Sequence, residues 1–307
     1  MNILYCGDKG IAQGVLVSIL SLLKNNFEPL HIYIMTVSCL GVRPFDGGVA
    51  EFLDQLVKGQ VQGLDTKFTK NGKKENFVKL IDATEVFKAN LPKKNMGTYF
   101  TPCAMLRLYM DKIPELARIK KILYLDYDIV CRGDIREFYD TDLTGVEAAG
   151  VLDIYGRRWY HYRGLFKWKK DAGVVDLRPE KERSEWILKH DYMNSGVMLF
   201  NLEECRKTGM FEKARELCAH KKMLLPDQAA LNRVISQRKL MPRRYNEQRE
   251  RPREDTVLHH FSNNFKFWPY FRVQKVKPFE IDKIHQVLKI HEYDDILEQY
   301  KELEVNL

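Results

Sequence analysis

Asn2-Ile3-Leu4-Tyr5-Cys6-Gly7-Asp8-Lys9-Gly10 opens the chain with a short apolar run and a Gly-containing turn, and Val15, Leu16, Ile19, Leu20, Leu22 and Leu23 then recur at helical spacing. A strand, a tight turn and a helix with one apolar face read as a single βα unit. The pattern repeats downstream. Residues 31–37 alternate as a second strand, a helix is expected around 49–57 and a strand near 78–81, and a Lys- and Asn-rich loop follows at 91–97. Further strands are expected over 147–152 and 196–201, and helices over 179–190, 210–220 and 227–236. Strands alternating with helices point to an α/β fold with a mainly parallel central sheet. In such sheets ligands bind at the carboxyl ends of strands, near the place where strand order reverses. After about residue 275 the pattern becomes helical, with Ile284, Leu288, Ile296, Leu297 and Tyr300 on one face and no obvious site chemistry. The chain is therefore expected to divide into a main domain, 1–275, and a C-terminal helical appendage, 276–307.

The strand-end rule puts two acidic positions on one rim. Asp8 follows the first strand, and Asp126-Tyr127-Asp128 follows the apolar run Ile122-Leu123-Tyr124-Leu125. Carboxylates separated by one residue on a strand point the same way and can share a hard divalent cation, which can in turn hold a diphosphate. The chain has a second copy, Asp140-Thr141-Asp142, but no buried-strand pattern precedes it and turn or helix-cap duty is its reading. A cation needs further ligands, and Leu258-His259-His260-Phe261 supplies histidines at the end of another strand-like run. Adjacent strand residues face opposite ways, so one of the two can join the site. No Walker loop occurs, and Gly7-x-x-Gly10-x-x-x-Gly14 lacks the spacing of a dinucleotide fingerprint.

Composition narrows the class. The 307 residues are 45% hydrophobic and 30% charged, as expected of a folded soluble chain. No apolar stretch approaches the roughly 20 residues that span a bilayer. A strand directly after Met1 leaves no room for a signal segment, and six dispersed cysteines without a Cys-x-x-Cys pair suggest reduced thiols, so a cytoplasmic location is expected. The net charge is +8, with the densest basic stretch between Arg238 and Arg253. Glu247, Glu250 and Glu254 interrupt it, which favours a solvated face over an anionic membrane surface or substrate. No nucleic-acid motif is present, and no nucleic-acid partner is expected.

His260-Phe261-Ser262-Asn263-Asn264-Phe265-Lys266-Phe267-Trp268 resembles the His-Phe-x-Gly-x-x-Lys-Pro-Trp signature of the family-8 glycosyltransferases, retaining enzymes that use nucleotide sugars and include bacterial lipopolysaccharide galactosyltransferases. The register selects His260, because a Lys six positions on and a Trp eight on fit that residue alone. Five further segments resemble the family in order: 2–8, Tyr99 through Arg107 to Tyr109, 123–128, 194–201, and the helix start Asp227-Gln228. Pro242-Arg243-Arg244-Tyr245-Asn246 is similar to the segment before the last strand. Asn263 and Phe267 depart from the signature's Gly and Pro, which bears on the turn of the phosphate-side loop.

The resemblance implies a GT-A type nucleotide-sugar-binding domain and a division of labour within it. Asp126, Asp128 and His260 would hold a divalent ion, Mn2+ before Mg2+, and Lys266 would add a second positive charge on the leaving diphosphate. Asp8 would meet the uracil while also capping the following helix, and Tyr127 lies between the two metal carboxylates. Arg107, Asn194, Asp227 and Gln228 would fix the sugar, with Gln228 and Asp227 at the catalytic centre and Asp153 on the acceptor side. Asp227 has helix N-capping as its structural alternative. Gln228 is a poor nucleophile, which favours same-face substitution without a covalent intermediate. The implied donor is UDP-glucose or UDP-galactose and the acceptor a saccharide or glycolipid of cell-surface glycan synthesis. The aromatic and basic run from Phe265 to Lys277 is a candidate peripheral contact with a membrane's inner face, with packing of the appendage as its other reading. A sugar-phosphate nucleotidyltransferase, or a nucleotide-sugar-binding protein without catalysis, are the competing classes.

Overall fold

Alternating side chains of the first strand feed two separate cores. Ile3 and Tyr5 enter one and Leu4 and Cys6 the other, so the strand is covered on both faces, as a parallel sheet requires. The protein is described by a computed structural model covering residues 1–69, 75–96, 102–153, 191–223, 225–262 and 276–307. Its strands in chain order are β1 (Asn2–Cys6), β2 (His31–Thr36), β3 (Phe77–Asp82), β4 (Lys121–Leu125), β5 (Ile129–Cys131), β6 (Ala148–Leu152), β7 (Met193–Asn201), β8 (Arg238–Leu240) and β9 (Leu258–His260). Seven of them form one sheet in the order β3-β2-β1-β4-β7-β6-β8, and β5 and β9 form a two-stranded ribbon. The pairs β1–β2, β2–β3, β1–β4 and β6–β8 are parallel, and β7 alone runs against its neighbours β4 and β6. The mainly parallel α/β sheet read from the sequence is what forms.

The chain steps outward from β1 to β2 and β3, then returns to the other side of β1 as β4. That reversal opens a crevice beyond the carboxyl ends of β1 and β4. Ile3 pairs with Leu123, so Asp8 and Asp128 lie equally far along two adjacent strand exits.

One core holds the helix Ala12–Asn25, buried from Gly14 to Leu23, together with the C-terminal helix Asp294–Leu303 through Ile296, Leu297, Tyr300 and Leu303. The other core holds the 3-10 winding Pro102–Lys112 and the helices Met210–His220 and Pro226–Val234. Several expected elements shift. The helix expected over 227–236 begins at Pro226, because a proline in the first turn needs no partner for its missing N–H. Strand β7 begins at Met193 rather than at the expected 196, so Asn194 and Ser195 are strand residues beside a register shift between Gly150 and Leu152 of β6. Before the last helix the chain winds as a π-turn over Ile284–Leu288, ended by Lys289 at φ 54°. The expected helix over 179–190 lies outside the described residues.

The second Asp-x-Asp copy does turn duty. Asp142 Oδ1 accepts from the Thr144 N–H (2.9 Å) and hydroxyl (2.7 Å). Five of the six cysteines are buried, and burial pushes the Cys131 and Cys218 thiols up to about 12. Among the described residues no helix is long and apolar enough to cross a membrane.

Candidate active site

Asp126-Tyr127-Asp128 sits where the chain leaves the large sheet and enters the small ribbon. The Asp126 N–H donates to the Gly196 carbonyl (2.8 Å), which continues the β4–β7 ladder. Two residues later the Asp128 carbonyl accepts from the Phe261 N–H (3.0 Å), extending the β5–β9 ladder in which Ile129 faces His260. The motif is thus a turn rather than a continuing strand. Its carboxylates converge because the two ladders pin its ends, and Tyr127 between them packs against the helix Ala12–Asn25. A Cβ at Gly14 of that helix would lie 2.5 Å from both the Tyr127 ring and its carbonyl oxygen, so only glycine admits this approach.

His260 completes a three-sided pocket. Its Nε2 lies 3.3 Å from Asp128 Oδ1 and 3.7 Å from Asp126 Oδ2. One ligand atom from each of the three residues falls within 4.8 Å of the others, so the group could hold a metal ion. The donor set suits one: two carboxylate oxygens and an imidazole nitrogen converge on one point, and Gly196 leaves that space open. A Cβ at Gly196 would stand 2.2 Å from His260 Cε1 and 2.8 Å from Asp126 Oδ2. The other ring nitrogen, Nδ1, lies 3.1 Å from Asn246 Oδ1, and Asn246 Nδ2 donates to Asn194 Oδ1 (2.9 Å). An amide oxygen accepts only, so Nδ1 is the donor in this contact, which leaves Nε2 as the ring atom turned toward the pocket. The neighbouring His259 points the other way, as strand geometry demands. It is buried between the Tyr293 hydroxyl and the Arg249 carbonyl (2.8 Å each), and burial lowers its imidazole to about 3, which keeps it neutral.

Arg107 joins the metal side to the sugar side. It is 4% exposed, and its Nη2 donates to Asp126 Oδ1 (2.9 Å), its Nη1 to the Ser195 carbonyl (2.8 Å) and its Nε to the Ala104 carbonyl (3.0 Å), while Asp227 Oδ2 lies 3.3 Å from Nε. The guanidinium lies 3.8 Å over the Tyr124 ring, and the Tyr124 hydroxyl donates to Asp126 Oδ1 (2.7 Å). Burial opposes the Arg107 charge, but Tyr124, Asp126 and Asp227 outweigh it and hold the group protonated. Burial pushes the Asp227 carboxyl up, with Arg107 pulling it down. Asp227 lies in the first turn of Pro226–Val234, whose N-cap is Leu225, so N-capping is not its role.

Behind this pair runs an amide network. Gln228 Oε1 accepts from the Ser195 N–H (2.9 Å) and hydroxyl (3.3 Å), and its Nε2 donates to Asp153 Oδ2 (3.2 Å). Asn194 Nδ2 donates to the same Asp153 oxygen (3.2 Å), and Asn194 Oδ1 accepts from the Gly196 N–H (3.0 Å). Asp153 is 6% exposed and lies against these amides rather than on an open rim.

Asp8 stands at the neighbouring strand exit, forms a β-bridge with Pro44, and caps the short turn Lys9–Ile11 by accepting from the Gly10 N–H (2.9 Å). Lys266, with Asn263, Phe267, Trp268, Tyr99 and the loop after Asp153, lies outside the described residues.

Three residues that the sequence did not assign to the site belong to the group: Tyr124, Asn246 and Lys277, the last of them expected only as part of a candidate membrane contact. Tyr124 looks like an ordinary strand residue, and Asn246 sits in the segment 242–246 without any spacing to mark it. Lys277 lies in the region read as free of site chemistry, yet its Nζ lies 2.5 Å from Asp128 Oδ2 and 5.1 Å from the Tyr127 ring centre. Burial would raise the Asp128 carboxyl, but Lys277 and His260 overcome it and hold it below the usual carboxylate range. In return Asp128 and Tyr127 raise the Lys277 ammonium against the effect of its burial.

The model of glycosyl transferase family 8 matches residues 2–271. A lipopolysaccharide 1,2-glucosyltransferase of Escherichia coli is 27% identical over 339 residues, covering 98% of this chain and 85% of that protein. Among solved structures, an active-site mutant of LgtC superposes with a TM-score of 0.63 at 16% identity, with both chains fully covered. The galactosyltransferase LgtC in complex with donor and acceptor sugar analogs gives 0.58 at 16% identity, again over the whole of both chains. These likenesses show a shared GT-A type fold.

Proposed function

Because the chain belongs to glycosyl transferase family 8, and is therefore a glycosyltransferase, we propose that it is a metal-dependent, retaining hexosyltransferase that moves glucose or galactose from a UDP-sugar to a saccharide acceptor. The observation that carries this reading is the convergence of Asp126, Asp128 and His260 within 4.8 Å beyond the ends of β1 and β4. Those three residues would hold the ion, Mn2+ or Mg2+. Bound there, it would supply positive charge to the diphosphate as that group leaves.

The rest of the work falls to the chain's own side chains. Asp8, at the adjacent strand exit, would meet the uracil, and Lys266 would add a second positive charge on the diphosphate. Arg107 fixes Asp126 and Asp227 relative to each other, so a sugar hydroxyl bound by Asp227 would keep a set distance from the metal carboxylates. Gln228 Oε1 is already committed to Ser195, which disfavours it as an attacking group. Retention is then best served by same-face substitution. The acceptor oxygen bonds to the anomeric carbon as the bond to the diphosphate oxygen breaks, and the acceptor's proton passes to that departing oxygen. Asn194 and Asp153, linked to Gln228, would shape the sugar and acceptor sides.

Glucose is the first donor to test, since the 27%-identical relative is a glucosyltransferase. A lipid-linked or cell-surface glycan is the acceptor class to test, since the same relative is a lipopolysaccharide glucosyltransferase. The test is UDP release from a panel of UDP-sugars, with and without acceptor saccharides, on wild type and Asp128→Asn at varied Mn2+. One hexose donor should turn over with Mn2+, and the variant should lose the activity. Turnover that ignores Mn2+, or ligand binding without turnover on any donor, would refute the reading. A nucleotidyltransferase would instead form UDP-sugar from UTP and a sugar phosphate.

A further inference from the structure

Asp128 is a carboxylate with 5% of its surface exposed, and a buried charge of that kind needs a partner. One oxygen, Oδ1, lies 3.3 Å from His260 Nε2. The other oxygen carries Lys277, whose ammonium lies 2.5 Å away. Tyr127 bounds the ammonium on one flank at 5.1 Å from the ring centre. The Lys277 backbone is fastened independently of this contact: its N–H donates to Glu280 Oε2 (2.7 Å) and its carbonyl accepts from the Glu280 N–H (3.0 Å). The backbone is therefore held while a flexible four-carbon stem carries a point charge that can turn between neighbouring anions.

We propose that Lys277 is the site's exchangeable cation: it pairs with Asp128 until a divalent ion binds, then gives up that oxygen and turns to the diphosphate of the donor. This rests on the metal and nucleotide reading of Asp126, Asp128 and His260. It adds that the C-terminal region takes part in the donor site and sets its order of loading. An ammonium at Asp128 Oδ2 and a divalent ion shared among the same three ligands repel each other, so metal binding displaces the lysine. Once an ion and a diphosphate are both present, the nearest uncompensated negative charge is on the phosphate oxygens, within the sweep of the same side chain.

The two halves of the proposal predict effects of opposite sign. Lys277→Met keeps the apolar stem against Tyr127 and removes the charge. Without nucleotide, Mn2+ should bind the variant more tightly. If the paired state holds about nine-tenths of wild-type molecules, the gain is about tenfold. With Mn2+ saturating, UDP should bind about tenfold more weakly, the loss of one charge-assisted contact. Mn2+ affinity would be read from the free-ion electron paramagnetic resonance signal and UDP affinity by calorimetry, on the full chain. Lys277→Gln serves as a second neutral variant, and Lys277→Arg, which keeps the charge, should leave Mn2+ affinity near wild type. A folded neutral variant whose Mn2+ affinity is unchanged or weaker, or whose UDP affinity is unchanged, overturns the proposal, because a purely structural ion pair would not tighten one ligand and loosen the other. Wild type that binds neither Mn2+ nor UDP overturns the functional reading together with this one.

Discussion

Gly196→Ala tests the geometry of the pocket with one added methyl group. Gly196 does not have a left-handed backbone, so alanine is conformationally allowed there and the effect isolates the contact. The new Cβ would lie 2.2 Å from His260 Cε1, whereas ordinary contact begins at 3.4 Å, so the two must separate by about 1.2 Å (3.4 − 2.2). The ring has little room: His260 is 4% exposed, its Nδ1 is bonded to Asn246, and its backbone pairs with Ile129. The Asp126 oxygen at 2.8 Å is pressed as well. Overpacking of this kind costs about 1–3 kcal/mol of stability. Metal–ligand distances tolerate only about 0.2 Å, so the displacement should weaken Mn2+ binding by at least the roughly 10–100-fold seen when ligand-supporting residues are lost. Calorimetric Mn2+ titration and thermal unfolding of wild type, Gly196→Ala and a control, Gly47→Ala, would measure both effects. Gly47 has nothing within 4 Å of its added Cβ, so the control should bind as wild type. A Gly196→Ala protein with wild-type stability and wild-type Mn2+ affinity would refute the reasoning.

Asn246→Ala should fold and lose about 10–100-fold in Mn2+ affinity, because nothing then sets the His260 tautomer; Mn2+ titration is the check, and unchanged affinity would remove Asn246 from the site. Arg107→Met should lower stability by about 3–5 kcal/mol in urea unfolding, since Asp227 and Asp126 lose their shared partner in a buried setting. Glu147 supplies a pH dependence remote from the metal pocket: its buried carboxylate accepts from Ser236, Gln237 and Thr208, and although burial would raise it, those bonds hold it below its ordinary 4.5. As pH falls the unfolded chain takes the proton first, so this stability is full above about 4.5 and is lost as pH drops through the lower folded value. Glu147→Gln should therefore cost about 1–3 kcal/mol at pH 7, a gap that closes in more acidic urea titrations.

Much of this arrangement is legible from short-range pattern. The run Asn2–Cys6 and the run Ile122–Leu125 declare buried strands by composition, and the alternation rule splits His259 from His260, because both depend only on how neighbouring side chains are directed. Strand exits place Asp8 and Asp126-Tyr127-Asp128 on one rim for the same reason. What periodicity cannot register is which distant segments share a pocket. Asn246 orients His260 and Lys277 reaches Asp128 across 149 residues of sequence, and neither sits in a pattern that local spacing could flag. Asn194, ahead of the strand expected from 196, is a strand residue because β7 pairs beyond Gly196 against an irregular β6, a long-range event invisible to local pattern.

The amino-acid sequence by itself determined the strands β1, β2 and β4, the helix after β1, and the residue types able to bind a cation, since each follows from side-chain direction and chemistry along a local stretch. Only the tertiary structure decided the partnerships. Asp126 and Asp128 converge because two different ladders seize the ends of their turn, Gly14 and Gly196 are required by close approaches from elsewhere in the chain, and Lys277, far along the sequence, supplies a cation to Asp128.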